Sequence, residues 1–345
     1  MPRSIDSDSS TRRPTIDDVA SRAGVSVAAV SFAMNDRPGV GEGTRARILA
    51  AAEELGWRPS ALGRALSESR TRAIGLLLER PLEQLEVDPF FVRFLAGIER
   101  TLARTDHALV LRVSDEATDL GAYERLAGRV DGFLLCDVEL DDPRFEVVGL
   151  PAVVAGHPVS PCPFPWLETE HASGMRAAVE HLVGLGHERI GFSGGGERLE
   201  HVQARLAVWR SAIVDARLEP GPVVFADPLA LLGEDVTAIV HTSDVLAAEA
   251  LSAARSRGLD LSITGFDDSP LAALASPPIT SVRVDYAQFG EAAAAALLAV
   301  IAGEPVPAFA GSEPSLVVRA STAPPPGSPP RPDAAASGAS RTRSR

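Results

Sequence analysis

Apolar positions near the amino terminus recur at helical spacing. Ile16, Val19, Ala20 and Ala23 form one stripe, Val27, Val30 and Met34 a second, and Ile48, Leu49, Ala52 and Leu55 a third. Each spacing is that of one face of a helix. Between the first two stripes Gly24 supplies a tight turn, because a residue without Cβ takes positive φ at little cost. Thr15, with Asp18 three residues on, makes a short form of the capping box. Ser26 is placed to cap a second helix over 26–34, and a third is expected from Thr44 to Gly56. Two short helices around a glycine turn make a helix-turn-helix.

From residue 73 the pattern changes. Short apolar runs at 73–78, 108–114, 132–138, 152–156, 189–194, 238–243 and 261–266 read as strands, and 280–285 and 315–321 as two more. Amphipathic stretches at 171–186, 202–216, 244–258 and 286–303 read as helices. Strands alternating with helices predict βαβ units and a mostly parallel sheet. Residues 1–13 are polar with few hydrophobes and are expected to be a disordered arm. Residues 323–345, rich in Pro, Ala and Ser with Arg331, Arg341, Arg343 and Arg345, are expected to be a disordered tail.

The 345 residues leave room for two or three domains. No apolar run is long enough to span a membrane, and the opening MPRSIDSDSS lacks the apolar segment of a secretory signal, so cytoplasmic residence is the simplest reading. Cys136 and Cys162 sit in no CxxC pair, which argues against structural zinc and against a disulfide framework. The net charge of −13 argues at first against nucleic acid. Its distribution alters that: residues 1–72 hold 11 Arg against 9 acids, whereas the remainder holds 22 Arg against 37 acids. All the basic side chains are Arg, which points to coding bias and carries no binding argument. Gly194–Gly196 follows a strand, but no GxGxxG, P-loop lysine or GxSxG elbow is present. His181 and His187 are six apart, which does not put them on one helix face. No catalytic constellation and no cofactor are expected.

The segments TIDDVASRAGVS, AAVSFAMN, TRARILAAAEELGWRPS and RTRAIGLLL together resemble the lactose/galactose repressor family, and the resemblance spans 14–322. It implies a helix-turn-helix headpiece at 14–59, a hinge helix and linker at 60–72, and a two-lobed periplasmic-binding-protein-like α/β domain at 73–322. The fold class is thus α followed by α/β. The function implied is a transcriptional regulator, usually a repressor, that binds palindromic double-stranded DNA as a homodimer. The family's tetrameric members end in leucine heptads; the Pro- and Ser-rich end here predicts a dimer.

By resemblance, the second helix enters the major groove with Val27, Ala28 and Phe32 facing bases. All three are apolar, so they suit thymine methyls rather than bidentate hydrogen bonds. Burial of Val27 and Phe32 within the headpiece is the alternative. Ser26, Ser31 and Asn35 share that surface and, with Thr15, Thr44 and Arg45, suit phosphate contacts that set register. In the hinge, Leu66 matches the leucine that the family wedges between base steps of the minor groove, with Ser60, Ala61, Gly63 and Arg64 beside it. A short helix containing Gly63 is unstable alone, so it is expected to order only on specific DNA. A plain linker helix is the alternative.

The resemblance divides the sensor into one lobe of about 73–170 plus 285–312 and another of about 171–284 plus the last strand. Three crossovers join them, with a ligand cleft between. DPFF at 88–91 matches the family's NPFF, which puts Asp88, Phe90 and Phe91 near the ligand. Arg205, Asp267 in GFDD, and Ser243 with Asp244 match further cleft positions; His157 follows another strand. A carboxylate, a guanidinium and aromatic faces suit a polyhydroxyl effector, most simply a carbohydrate. Phe90 and Phe91 as core, Arg205 as a structural ion pair, and His157 as a structural histidine are the competing readings. The stretch 218–237 is compressed and Pro-rich where the family has a crossover helix. That motivates a second functional reading: a ligand-independent or partner-controlled regulator with a degenerate sensor.

Overall fold

The computed structural model describes residues 14–35, 37–58, 70–80, 85, 88–114 and 119–327. The chain divides into two units, Met1–Thr71 and Arg72–Arg345. The arm 1–13 and the hinge residues Ser60, Ala61, Gly63, Arg64 and Leu66 lie outside the described residues.

The first unit holds α1 (Ile16–Ala23), α2 (Val27–Met34) and α3 (Glu42–Glu54). Thr15 and Asp18 form the expected capping box, and Gly24 closes α1 in the left-handed conformation at φ 67°. Val19, Ala20, Val30, Ala33, Ile48, Ala51 and Ala52 are its buried core. Leu49, expected inward, is 47% exposed. Ala51 takes the inward place beside Ile48 and Ala52, because residues three and four apart share a helix face while Leu49, next to Ile48, is turned off it.

The second unit is built on two sheets. The first lobe's sheet has the order β2-β1-β3-β4-β5, from β1 (Ala73–Glu79), β2 (Ala108–Ser114), β3 (Gly132–Leu135), β4 (Ala152–Ala155) and β5 (Trp166–Leu167). The second lobe's order is β11-β10-β9-β8-β6-β7, from β6 (Ile190–Gly194), β7 (Val223–Phe225), β8 (Ala238–His241), β9 (Ser262–Asp267), β10 (Thr280–Arg283) and β11 (Ser315–Val317). Among the described residues all strand pairings are parallel except β10 with β11. The helices α4 (Pro89–Leu102), α5 (Gly121–Ala127), α6 (Arg144–Val147), α7 (Ala172–Leu185), α8 (Glu200–Asp215), α9 (Asp244–Ser256), α10 (Pro270–Leu274) and α11 (Tyr286–Ala302) cover them. One apolar cluster runs from Ile74 and Phe94 of the first lobe to Phe192, Trp209 and Phe266 of the second.

The chain crosses between lobes after β5, after β10 and again before β11, so α11 returns to the first lobe and packs on α4. A Cβ on Gly97 would stand 2.0 Å from the Ala287 carbonyl oxygen, and one on Gly290 would stand 2.2 Å from that of Phe94. The two helices therefore touch backbone to backbone. That contact fixes the origin of α11, and with it Tyr286, against the start of α4.

As the compressed, Pro-rich stretch leads one to expect, no helix lies between β7 and β8; the compact turns of 226–237 insert Leu231, Leu232 and Val236 into the cluster around Ile239 and Ile263. The Pro-rich run gives up the helix and keeps its apolar cover. Against expectation, the carboxyl-terminal segment stays ordered past 322: His187 Nε2 lies 2.8 Å from the Ala323 carbonyl, and the Ala323 amide donates to Ser262 Oγ at 3.0 Å. These bonds satisfy backbone groups at the lower end of the second lobe's sheet. No described helix is long and apolar enough to cross a membrane.

Candidate nucleic-acid interface and interlobe cleft

On α2 the inward positions are Val30 and Ala33. Val27, Ala28 and Phe32 point the other way, Val27 being 39% and Phe32 40% exposed. The alternative that these two are core is therefore excluded. Ser26 caps the helix, accepting the Ala29 amide at 3.2 Å, and Asn35 closes it with its amide on the Ser31 carbonyl. These positions form one surface, apolar at its centre.

Two residues expected at phosphates are committed elsewhere. Arg45 donates from Nη1 to the Ala33 carbonyl at 3.1 Å and from Nη2 to the Arg37 carbonyl at 3.0 Å. It thereby satisfies carbonyls that the end of α2 and the following loop leave open. Thr15 gives both its amide and its hydroxyl to Asp18, at 2.7 and 2.8 Å. Thr44 sits in the first turn of α3, where it is half-buried.

The cleft lies beyond the carboxyl ends of the strands, where loops of both lobes face one another. On the first-lobe wall Arg80, just past β1, bridges Asp88 at 2.8 Å and Asp137, just past β3, at 2.6 Å. Asp88 also caps α4 through the Phe90 amide at 3.0 Å. Burial opposes the charge on Asp137, but Arg80 and then His201 outweigh it and hold its pKa below the usual carboxylate value. Its Oδ2 is buried without a hydrogen-bond partner among the described residues. Phe90 meets Tyr286 edge-on, ring centres 4.7 Å apart. Phe91, expected beside a ligand, is fully buried, with the Arg80 guanidinium over its ring at 4.9 Å. It belongs to the core, because α4 turns it between Arg80 and the sheet.

On the second-lobe wall Arg205 of α8 lies over Phe266 at 3.8 Å and donates to the Thr242 carbonyl at 2.6 Å. Among the described residues it makes no ion pair and its Nε is buried and unpartnered; its Nη2 stands 3.4 Å from His171. Asp267, at the end of β9, accepts the Tyr286 hydroxyl at 2.7 Å. Burial drives its pKa well up, with Arg205 pulling the other way. Burial, and then Arg205, hold His171 well below its ordinary value and His201 down to about 3. Both imidazoles are thus neutral at pH 7.

Asp244 departs from expectation. It is buried with both oxygens occupied, one by the Ser269 amide at 2.7 Å and the other by Ser281 Oγ at 2.5 Å. It ties β9 and β10 to α9 and presents nothing to a ligand. Ser243 serves as the α9 cap. His157 is exposed, hydrogen-bonded to Glu168 and stacked on Trp166. Arg80, Asp137, His171, His201, Trp166 and Tyr286 were not singled out in the sequence. Most of them stand within a few residues past a strand end, the one signal that could have found them.

The lobes also meet on either side of the cleft. Arg93 of α4 donates to the carbonyls of Asp267 at 3.3 Å and Asp268 at 3.1 Å. Opposite, Leu140 and Arg198, then Glu200 and Val138, exchange backbone bonds of 2.9 Å across the lobes.

Comparison with known proteins agrees with this architecture. The family model described as bacterial regulatory proteins, lacI family, matches residues 15–60, and the periplasmic binding protein-like domain model matches 179–322. The HTH-type transcriptional regulator reg1 of Streptomyces lividans is 37% identical, over 91% of this chain and 98% of its own. MalR of Streptomyces coelicolor is 35% identical over the same shares. A CelR–cellobiose complex superposes with TM-score 0.66 at 28% identity, over 90% of this chain and 100% of that one. A Lac repressor bound to ONPG in the repressed state superposes with TM-score 0.74 at 26% identity, over the same shares. By its headpiece, its two-lobed sensor and these relatives, this chain belongs to the lacI family of bacterial transcriptional regulators.

Proposed function

We propose that the chain is a repressor that grips a two-fold symmetric operator as a homodimer and is controlled by a carbohydrate held between the lobes. The observation that carries this reading is the cleft lining. Among the described residues, Asp137 Oδ2 and Arg205 Nε are an acceptor and a donor buried without partners, beside the Asp267–Tyr286 pair and the Phe90 ring that meets Tyr286. Buried polar atoms without partners cost stability; a hydroxyl-rich ligand satisfies both kinds at once. The relatives support it: one structure is a CelR–cellobiose complex, and another is a Lac repressor dimer on its operator.

On the DNA side, Val27, Ala28 and Phe32 meet bases, Ser26, Ser31, Asn35 and Thr44 set register, and the hinge with Leu66 takes the minor groove. The headpiece at 14–59, the hinge at 60–72 and the sensor at 73–322 are parts of the same proposal. Ligand that favours one arrangement of the lobes shifts the hinge equilibrium by its differential affinity. The test is selection of sites from a randomised duplex library by the full-length protein, then anisotropy on the selected duplex with and without sugars. Two-fold symmetric sites and a sugar-dependent affinity are expected; absence of any preferred sequence overturns the reading. Leu66→Ala is expected to weaken the selected site more than random duplex, and equal losses would remove the wedge.

A further inference from the structure

We propose that the rim of the cleft holds a second sugar subsite, formed by Trp166, His157 and Glu168, and that the effector is an unphosphorylated saccharide of at least two rings. This rests on the carbohydrate reading of the cleft. β4 and β5 end side by side, and His157 and Glu168 follow them directly. The Trp166 indole stacks on the His157 ring at 4.6 Å and 20°, and His157 is in turn bonded to Glu168. One face of the indole is thus braced while the side chain stays 43% exposed. A rigid aromatic face with a carboxylate at its edge suits a pyranose, which stacks its C–H face and donates its rim hydroxyls.

The platform is continuous with the deep pocket. Three residues past Glu168 the same segment carries His171, whose ring lies 3.0 Å from the Thr169 hydroxyl and whose Nδ1 stands 3.4 Å from Arg205 Nη2. One ring seated at Arg205 and Asp267 therefore leaves the next toward Trp166. The same wall excludes a phosphate. Arg80 is held by two carboxylates, and Arg205 by a carbonyl and a ring face, so that its one open donor among the described residues, Nε, suits a single hydroxyl oxygen and falls short of the several donors a phosphate dianion takes. The imidazoles between them are neutral, and the open acceptor is a carboxylate oxygen of Asp137. A dianion there would be desolvated beside like charge.

Calorimetry on the full-length protein with glucose, maltose, cellobiose and the 6-phosphates of glucose and cellobiose tests this. A disaccharide is expected to bind at least about tenfold more tightly than glucose, and the phosphates at least about tenfold more weakly than their parents. Trp166→Ala should cost the disaccharide about five- to tenfold, the scale of one aromatic contact, and leave glucose unchanged. Trp166→Phe should restore most of the loss. Binding abolished by Asp267→Ala but indifferent to Trp166→Ala, or tolerant of phosphate, overturns the subsite and leaves the carbohydrate reading standing. Silence toward every sugar, with operator binding intact, overturns that reading itself.

Discussion

On α2, Val27, Ala28 and Phe32 put carbon into water; in the cleft, Asp137, Arg205 and Asp267 put polar groups where water is scarce. Neither surface is at its own minimum, and the sense of each mismatch names what would relieve it. Exposed apolar side chains gain by contact with methyl groups and base edges in a groove. Enclosed polar atoms gain by a ligand dense in hydroxyls. The headpiece is held by one small apolar cluster, whereas the sensor carries a much larger one around its polar centre.

Acid should separate the two regions most. Every histidine of the chain lies beyond residue 72. Burial holds His241 of β8 down to about 4, so its contribution is full above its unfolded pKa near 6.5 and is lost as pH falls toward about 4. The loss amounts to about 3 kcal/mol by linkage. Asp267 and Asp244, whose values are raised, act in the opposite sense, so a variant difference is the clean measure. His241→Asn should flatten the fall of sensor stability between pH 7 and 4 by about that amount, read by chemical denaturation. An equal fall in both proteins would contradict the assignment.

Next in size, Asp267→Ala should lower effector affinity about a hundredfold, on the scale of a buried charged hydrogen bond, about 2–3 kcal/mol. Operator affinity without effector should stay within about twofold. Loss of operator affinity instead would show that Asp267 holds the lobes rather than the ligand. Smallest are two headpiece changes that split apolar from ionic roles. Phe32→Ala should weaken operator binding about tenfold at an unchanged salt slope. Arg45→Ala should destabilise the headpiece by about 1 kcal/mol, since it frees two carbonyls, again without altering the slope. A slope lower by about one unit would return Arg45 to the phosphates.

Long periodic elements are legible in the sequence: β2 spans 108–114 as expected, α7 is shorter than expected by one residue at each end, and α11 by one residue at its end. Short elements escaped it. β5 is two residues long and follows Pro161, Pro163 and Pro165; β7 follows Pro222. Helix α4 is missing from the expected helices, because DPFF at its start draws attention as a ligand motif and not as a helix cap. In the cleft, Asp267 and Arg205 could be named by pattern, but Asp244 could not be told from a ligand residue. Both are carboxylates next to strand ends, and only the third dimension shows that Ser269 and Ser281 already occupy Asp244. Arg45 misled for the same reason: an exposed-looking arginine in a DNA-binding segment suggests phosphate, while its guanidinium closes a helix end. Leu49 shows how one residue shifts a stripe, since Ile48, Ala51 and Ala52 share the buried face of α3 and Leu49 is turned off it.

Arg93 stands on one lobe and hangs on two carbonyls of the other, one of them belonging to Asp267 itself. Parting the lobes must break both bonds and wet the peptide that carries the pocket's acid. Occupancy and aperture therefore share a fastener. Whatever tugs on the Asp267 side chain also tugs, through a single residue's backbone, on the helix across the gap.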